Sequence, residues 1–231
     1  MIPVAVLLHG AGSCPETARR LLASAAPPGA EVVSPAWRGS VDDALDALAQ
    51  AVAGRRVALV GGISLGAHAA ALWAAAERCA EPLVLAMPAW TGAPDDAAAA
   101  TLASADEVAR RGSAAVLADL AADPATTHDW VLDELAQGWS TYPDDDALVT
   151  SLRRAARSAA PDVHELERLA GPVAVVALAD DPLHPEAVAR RWAAATPRAR
   201  IAVVARRAPA DDRGVLGRAA ALALSELSGS R

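Results

Sequence analysis

The feature that most constrains this chain is the alternation of short apolar runs with longer stretches of helical pattern, which is typical of β-α-β units that build a parallel sheet. The predicted strands are Val4–Leu8, Glu31–Ser34, Arg56–Gly61, Leu83–Met87, Val173–Leu178 and Arg200–Val204. The predicted helices are Pro15–Ala25, Val41–Val52, Leu65–Arg78, Pro185–Ala194 and Gly214–Leu227. Continuously apolar strands are buried on both faces, so helices should cover both sides of the sheet. The sequence therefore predicts the α/β class: a three-layer α/β/α sandwich with a mostly parallel sheet of about six strands.

The stretch from residue 91 to residue 170 breaks this rhythm. It has no clear strand, is rich in Ala, Asp and Arg, and carries Trp130, Trp139 and Tyr142. We interpret it as a helical cap or lid inserted over the carboxyl edge of the sheet, which leaves residues 1–90 and 171–231 as the core. A set of long crossover helices packed on the side of the sheet is the alternative interpretation.

Composition narrows the chemistry that this chain can perform. It contains no Lys, which excludes a P-loop lysine, a Schiff-base lysine and a Ser-Lys pair. Its net charge is -7 and its Arg residues are scattered among 28 acidic residues, so no basic stripe for nucleic acid is visible. Cys14 and Cys79 lack the spacing of metal ligands, and two cysteines do not make a disulfide framework. We therefore predict no metal, no cofactor and a reducing cytoplasm as the location.

Neither the beginning of the chain nor its apolar runs predicts export or membrane insertion. The sequence enters the first predicted strand at once, which leaves no room for a signal peptide. Runs such as Val57–Val60 are too short to cross a bilayer. We expect a cytoplasmic protein that acts on a small molecule and binds neither nucleic acid nor membrane, and the sequence predicts no particular oligomeric state.

The strongest chemical signal is Gly62-Ile63-Ser64-Leu65-Gly66, which lies between a predicted strand and a predicted helix. A nucleophile on such a sharp turn needs a strained backbone, and glycines two residues to each side make room for it. The turn exposes the Ser64 hydroxyl at the start of the next helix. There the N–H of Leu65 and the helix dipole can stabilise an oxyanion. A plain Gly-rich turn between strand and helix is the structural alternative.

A second signal, His9-Gly10-Ala11-Gly12, follows the first strand and can bring another backbone N–H, that of Ala11, to the same oxyanion. With these two motifs the chain resembles the α/β-hydrolase superfamily, in a short bacterial form. The resemblance implies a serine hydrolase and a structural His9. A dinucleotide-binding loop is the rival interpretation, but Pro15 stands where its third glycine belongs and Glu31 begins the second strand instead of ending it.

The resemblance also implies an acid after the strand Val173–Leu178. Asp181 fits that position, with Asp180 as the near alternative, and its carboxylate would orient the catalytic histidine. The family carries that histidine in the loop after the last strand, but residues 205–214 of this chain contain none. Asp211 and Asp212 occupy the expected position, where a carboxylate is a poor base for a serine hydroxyl.

The five histidines are therefore weighed as bases one by one. His184 is the only one after Asp181, although three residues is a short separation from its own acid. His128 could reach over from the cap. His68 and His164 are interpreted as structural and solvated, respectively, and His9 as structural.

The leading hypothesis is a serine hydrolase for a small carboxylic ester or thioester. Ser64, Asp181 and His184 would form the catalytic set. Leu65 and Ala11 would form the oxyanion hole, and Trp90, Trp130 and Trp139, with Tyr142, would line an acyl pocket. For each of these aromatic residues, packing between cap and core is the alternative role. The alternative for the whole chain is a degenerate member of the fold that binds a ligand or partner, because the histidine is missing from its usual loop.

Overall fold

A computed structural model describes residues 2–122 and 130–229 of the chain. The strands are β1 (Val4–Leu8), β2 (Glu31–Val33), β3 (Val57–Ile63), β4 (Leu83–Ala86), β5 (Val173–Leu178) and β6 (Ala199–Val204). The helices are α1 (Pro15–Leu22), α2 (Val41–Val52), α3 (Leu65–Glu77), α4 (Asp96–Arg111), α5 (Ser113–Ala122), α6 (Trp130–Trp139), α7 (Asp145–Ala155), α8 (Val163–Glu167), α9 (Glu186–Ala195), α10 (Ala208–Asp211) and α11 (Val215–Ser228). A short 3-10 helix, Ala23–Ala25, continues α1.

The six strands form one sheet in the order β2-β1-β3-β4-β5-β6, and every pair is parallel. The chain places β2 on one side of β1 and then crosses to place β3 on the other side. In open parallel sheets, ligands bind beyond the carboxyl ends of the strands at such a reversal. The topology thus puts the residues that follow β1 and β3 at the position where a ligand-binding site is expected.

Helices cover both faces of the sheet, because successive side chains of each strand point to opposite faces. Val4, Val6 and Leu8 of β1 belong to a core with α2, α3 and α9, whereas Ala5 and Leu7 face α1 and α11. All five residues of β1 and all six of β5 are buried. The prediction of a three-layer α/β/α sandwich is confirmed.

Between β4 and β5, the described residues form the five helices α4 to α8 and no strand. They have a small core of their own, which includes Val108 of α4, Trp139 of α6, and Leu148 and Leu152 of α7. The division of the chain into a core and a cap at residues 91–170 stays a prediction.

The helices predicted from the sequence begin at or within one residue of their predicted positions. Pro15 begins α1, where its missing N–H costs nothing. Pro185 was expected at the start of a helix as well, and it lies one residue before α9. Asp162 caps α8, because its carboxylate accepts the N–H of Glu165. No helix in the described part of the chain is long and apolar enough to span a membrane.

Candidate active site

Ser64 lies on a sharp turn between β3 and α3 with φ 54° and ψ -120°, a conformation that is strained for any residue other than glycine. The two flanking glycines make the turn fit. A Cβ on Gly62 would lie 2.1 Å from the carbonyl carbon of Gly66, and a Cβ on Gly66 would lie 2.4 Å from the carbonyl oxygen of His9. Gly62 is therefore required by the turn itself, and Gly66 by the backbone at the end of β1 that passes beside it. The turn lifts the Ser64 hydroxyl above the sheet.

The loop after β1 runs directly against this serine. A Cβ on Gly10 would lie 3.3 Å from the Cβ of Ser64, so the loop backbone passes within contact distance of the side chain. Ala11 and Leu65 line the same cavity as Ser64. The backbone N–H groups of Ala11 and Leu65 have no hydrogen-bond acceptor among the described residues. Two donors are thus available next to the hydroxyl.

Asp181 and His184 share one tight turn after β5. The Oδ1 atom of Asp181 accepts the backbone N–H groups of Leu183, at 2.9 Å, and of His184, at 3.2 Å. These two bonds fold the chain back, so that His184 Nδ1 lies 3.0 Å from the Oδ2 atom of the same carboxylate. A separation of three residues is therefore enough to pair the acid with the imidazole.

The other ring nitrogen of His184 reaches the serine. His184 Nε2 lies 3.0 Å from Ser64 Oγ across 120 residues of sequence. The structure thus brings Ser64, His184 and Asp181 into one hydrogen-bonded chain. Asp180, the alternative acid, is exposed and has a left-handed backbone with φ 57°.

The pairing stabilises the ionised form of Asp181. Burial alone would raise the pKa of this carboxyl group. The hydrogen bond and positive charge of His184 and the two backbone N–H groups outweigh that effect and lower the pKa to about 2. A carboxylate that remains ionised fixes the proton of His184 on Nδ1 and leaves Nε2 free to accept one.

The loop after β6 has a different role from the one that the family resemblance implied. The carbonyl oxygen of Arg206 accepts the indole N–H of Trp130 at 2.9 Å, which attaches helix α6 to this loop. Asp212 pairs with Arg218 and caps the backbone N–H of Gly214. Asp211 and Asp212 are both exposed and do not line the cavity at Ser64. The loop anchors a neighbouring helix instead of supplying a base.

The remaining histidines have structural surroundings. His68 is fully buried against Trp90, and its Nε2 accepts the N–H of Ala89 at 3.1 Å. His9 is stacked on Trp37 with its Nδ1 2.8 Å from the carbonyl oxygen of Gly10. His164 is exposed on α8. The hypothesis for His128 falls outside the described residues.

A cavity of about 430 Å³ opens at Ser64 between the carboxyl edge of the sheet and helices α4 to α7. The predicted pocket residues Trp90, Trp130 and Trp139 all line it. Tyr142 does not, because its hydroxyl lies 2.9 Å from Ser151 Oγ inside the small core of the inserted helices. No group of His, Cys, Asp and Glu side chains in the described ranges is arranged to hold a metal ion.

One charged cluster at the cavity was not predicted from the sequence. The carboxylate of Glu134 in α6 is buried and accepts hydrogen bonds from Thr17 and Arg20 of α1, each at 2.6 Å. Arg213 lies 3.5 Å from its second oxygen. These partners are about 80 to 120 residues away from Glu134 in the chain, so no local pattern indicates the contact.

Comparisons with known proteins agree with this architecture. No model of a known protein family matches the sequence, and no curated protein has a significantly similar sequence. Among solved structures, MenH from S. aureus superposes with a TM-score of 0.74 at 16% identity, over 99% of this chain and 96% of that chain. The enol-lactonase from Burkholderia xenovorans LB400 gives 0.70 at 18% identity, over 99% and 91% of the two chains.

A thermophilic esterase from Thermogutta terrifontis gives a TM-score of 0.67 at 18% identity, over 97% of this chain and 90% of that chain. These superpositions span nearly the whole chain, the inserted helices included, at identities that show the fold alone. Together with the parallel sheet and the serine turn after β3, they confirm the resemblance at the level of architecture. The chain has the α/β-hydrolase fold.

Proposed function

We propose that this protein is a serine hydrolase that cleaves a small carboxylic ester or thioester through an acyl-enzyme on Ser64. The observation that carries the proposal is the continuous contact from Ser64 Oγ to His184 Nε2 and from His184 Nδ1 to Asp181, each 3.0 Å long. A hydroxyl is a weak nucleophile until a positioned base takes its proton, and this geometry supplies the base.

In the first half of the reaction, Ser64 Oγ attacks the carbonyl carbon of the ester while its proton passes to His184 Nε2. The electron pair of the carbonyl double bond moves to oxygen, and the N–H groups of Ala11 and Leu65 stabilise that oxyanion. When the tetrahedral intermediate collapses, the bond to the leaving oxygen or sulfur breaks. That atom takes the proton from His184, and the acyl group remains on Ser64.

In the second half, a water molecule gives one proton to His184 Nε2 and attacks the acyl carbon. Collapse of the second tetrahedral intermediate breaks the bond to Ser64 Oγ, which recovers its proton from His184. Asp181 stays ionised throughout, in agreement with its pKa of about 2, and stabilises each imidazolium that forms.

Two observations favour an ester or thioester as the substrate class. The cavity beside Ser64 is largely apolar and has the size of a small-molecule site. The similar structures include proteins named an esterase and an enol-lactonase, and both names describe hydrolysis of a carboxylic ester bond.

The test is labelling of the purified protein with a fluorophosphonate, read by intact mass, beside the Ser64→Ala and His184→Ala variants. We expect one adduct on the wild type, none on folded Ser64→Ala, and strongly slowed labelling of folded His184→Ala. An unlabelled but folded wild-type protein would overturn the proposal. The same fold would then serve to bind a ligand or partner.

A further inference from the structure

One face of helix α4 forms part of the wall of the cavity at Ser64. Ala97, Ala100, Thr101, Ser104 and Glu107 all line the cavity. Their spacing of three and four residues puts them on a single side of the helix. The first four of these side chains are small, so a substrate group can lie against the helix backbone.

Much of the remaining lining of the cavity is apolar. Leu21 of α1, Leu135 of α6 and Leu152 of α7 line it together with Trp90 and Trp139. Burial of a charged group on such a wall costs several kcal/mol unless it is paired, whereas each buried methylene group stabilises binding. The surface therefore favours an uncharged hydrocarbon chain.

The charged cluster at the cavity does not offer a partner to a charged substrate group. The carboxylate of Glu134 is buried and also lines the cavity. Its hydrogen-bonding capacity is directed to Thr17 and Arg20, which belong to the protein. Arg20 and Arg213 compensate the charge of this carboxylate, so the main cost to an anionic group that enters the cavity is the loss of its hydration against apolar side chains.

From these observations we propose that the substrate carries an uncharged acyl chain longer than acetyl, and that the small face of α4 at Ala100 sets how long that chain can be. Two experiments test this inference. The first, called the kinetic arm, measures hydrolysis and rests on the proposed hydrolase function. The second, called the binding arm, measures ligand binding and needs no catalysis.

The kinetic arm compares p-nitrophenyl acetate, butyrate and hexanoate, which share one leaving group. A fully buried methylene contributes about 0.8 kcal/mol, which corresponds to about fourfold in kcat/KM. We expect kcat/KM to rise at least tenfold from acetate to hexanoate. A flat or falling series, with hydrolysis still dependent on Ser64, would overturn the inference and leave the proposed function intact.

The matched variants are Ala100→Leu and Ala99→Leu. The two alanines are neighbours on α4, but Ala100 lines the cavity whereas Ala99 is exposed and does not line it. Ala100→Leu should lower kcat/KM for hexanoate at least tenfold and for acetate less than twofold, because the added side chain occupies the space of the longer chain. Ala99→Leu should leave both values unchanged. Equal effects of the two variants would contradict the role of Ala100.

The binding arm uses the Ser64→Ala variant and tryptophan fluorescence, since three indoles line the cavity. We expect hexanamide to bind at least tenfold more tightly than acetamide, and more tightly than adipic monoamide, whose far end is a carboxylate. The additional change Ala100→Leu should abolish the preference for hexanamide. Tighter binding of acetamide or of adipic monoamide would overturn the inference even if the protein proves to have no hydrolase activity.

Discussion

Asp181 holds His184 twice, because its carboxylate accepts both the backbone N–H and the ring N–H of the same residue. The acid and the imidazole therefore form one turn after β5 instead of meeting from two separate loops. Any displacement of this turn moves both groups together. The geometry between them is fixed locally, and only the contact from His184 to Ser64 depends on the rest of the fold.

Removal of His184 or of the Asp181 charge should reduce turnover in proteins that still fold. We expect His184→Ala to lower kcat for p-nitrophenyl butyrate about 10⁵- to 10⁶-fold and Asp181→Asn about 10⁴-fold, because the base is lost or held in the wrong tautomer. The measurement is kcat, from stopped-flow assays of the wild type and long-time assays of the variants. Each variant must first show the circular dichroism spectrum of the wild type. The control is His164→Ala, an exposed histidine whose loss should not change kcat. An equal loss in both histidine variants would contradict the assigned role of His184.

Substitution of Gly62 by Ala should distort the serine turn. The new Cβ would lie 2.1 Å from the backbone of Gly66, so the backbone must shift. We expect a loss of at least about 2 kcal/mol in the free energy of unfolding, together with loss of fluorophosphonate labelling. Urea titration measures the former. Gly229→Ala serves as the control, since its nearest neighbour would be 3.8 Å away, and a comparable destabilisation there would contradict the steric explanation.

Loss of the buried carboxylate of Glu134 should loosen helix α6 from the core. The Glu134 side chain is only 7% exposed, so Glu134→Gln leaves the guanidinium of Arg20 without its charged partner at the cavity. We expect destabilisation of about 2 kcal/mol in urea titration, less than for a fully buried pair because Arg20 is partly solvated. The neighbouring change Asp133→Asn should cost less than about 0.5 kcal/mol, since that side chain is 76% exposed. Equal losses of stability in the two variants would contradict the explanation that the burial of Glu134 makes its carboxylate important for stability.

Acid should destabilise the protein through two buried histidines. Burial lowers the pKa of His68 to about 3, with the charge of His184 acting in the same direction. Burial likewise lowers the pKa of His9 to about 4, against the opposing effect of the Gly10 hydrogen bond. Below pH 6.5 the unfolded chain binds a proton at each histidine and the folded chain does not. Stability therefore falls as pH falls from about 6.5 toward 4, by up to about 2.7 kcal/mol per pH unit for the two groups together.

The measurement is the free energy of unfolding between pH 6.5 and pH 4. His68→Gln keeps an acceptor near the N–H of Ala89 and removes one titrating group, so its slope should be about half that of the wild type. His164→Gln, an exposed change, should leave the slope unaltered. A wild-type slope retained in His68→Gln would contradict the burial of a neutral imidazole.

By itself the sequence determined the layered α/β architecture. Runs such as Val4–Leu8 and Val173–Leu178 are continuously apolar because both faces of those strands are covered, and their observed bounds are the predicted ones. Gly62 also carried local information, since a Cβ there would meet the backbone of Gly66 in the same turn. Signals of this kind depend only on neighbours in the chain.

The tertiary structure decided which side chains meet. In the sequence His184 was one of five histidines, and only the parallel order of β3, β4 and β5 brings its turn to Ser64, 120 residues away. The cluster of Glu134 with Thr17 and Arg20 was equally hidden, because its hydrogen bonds join helices that are remote in the chain. The periodicity of apolar residues indicates which face of a helix or strand is buried, but not which element packs against that face. The contacts across the cavity therefore follow only from the packing of the whole chain.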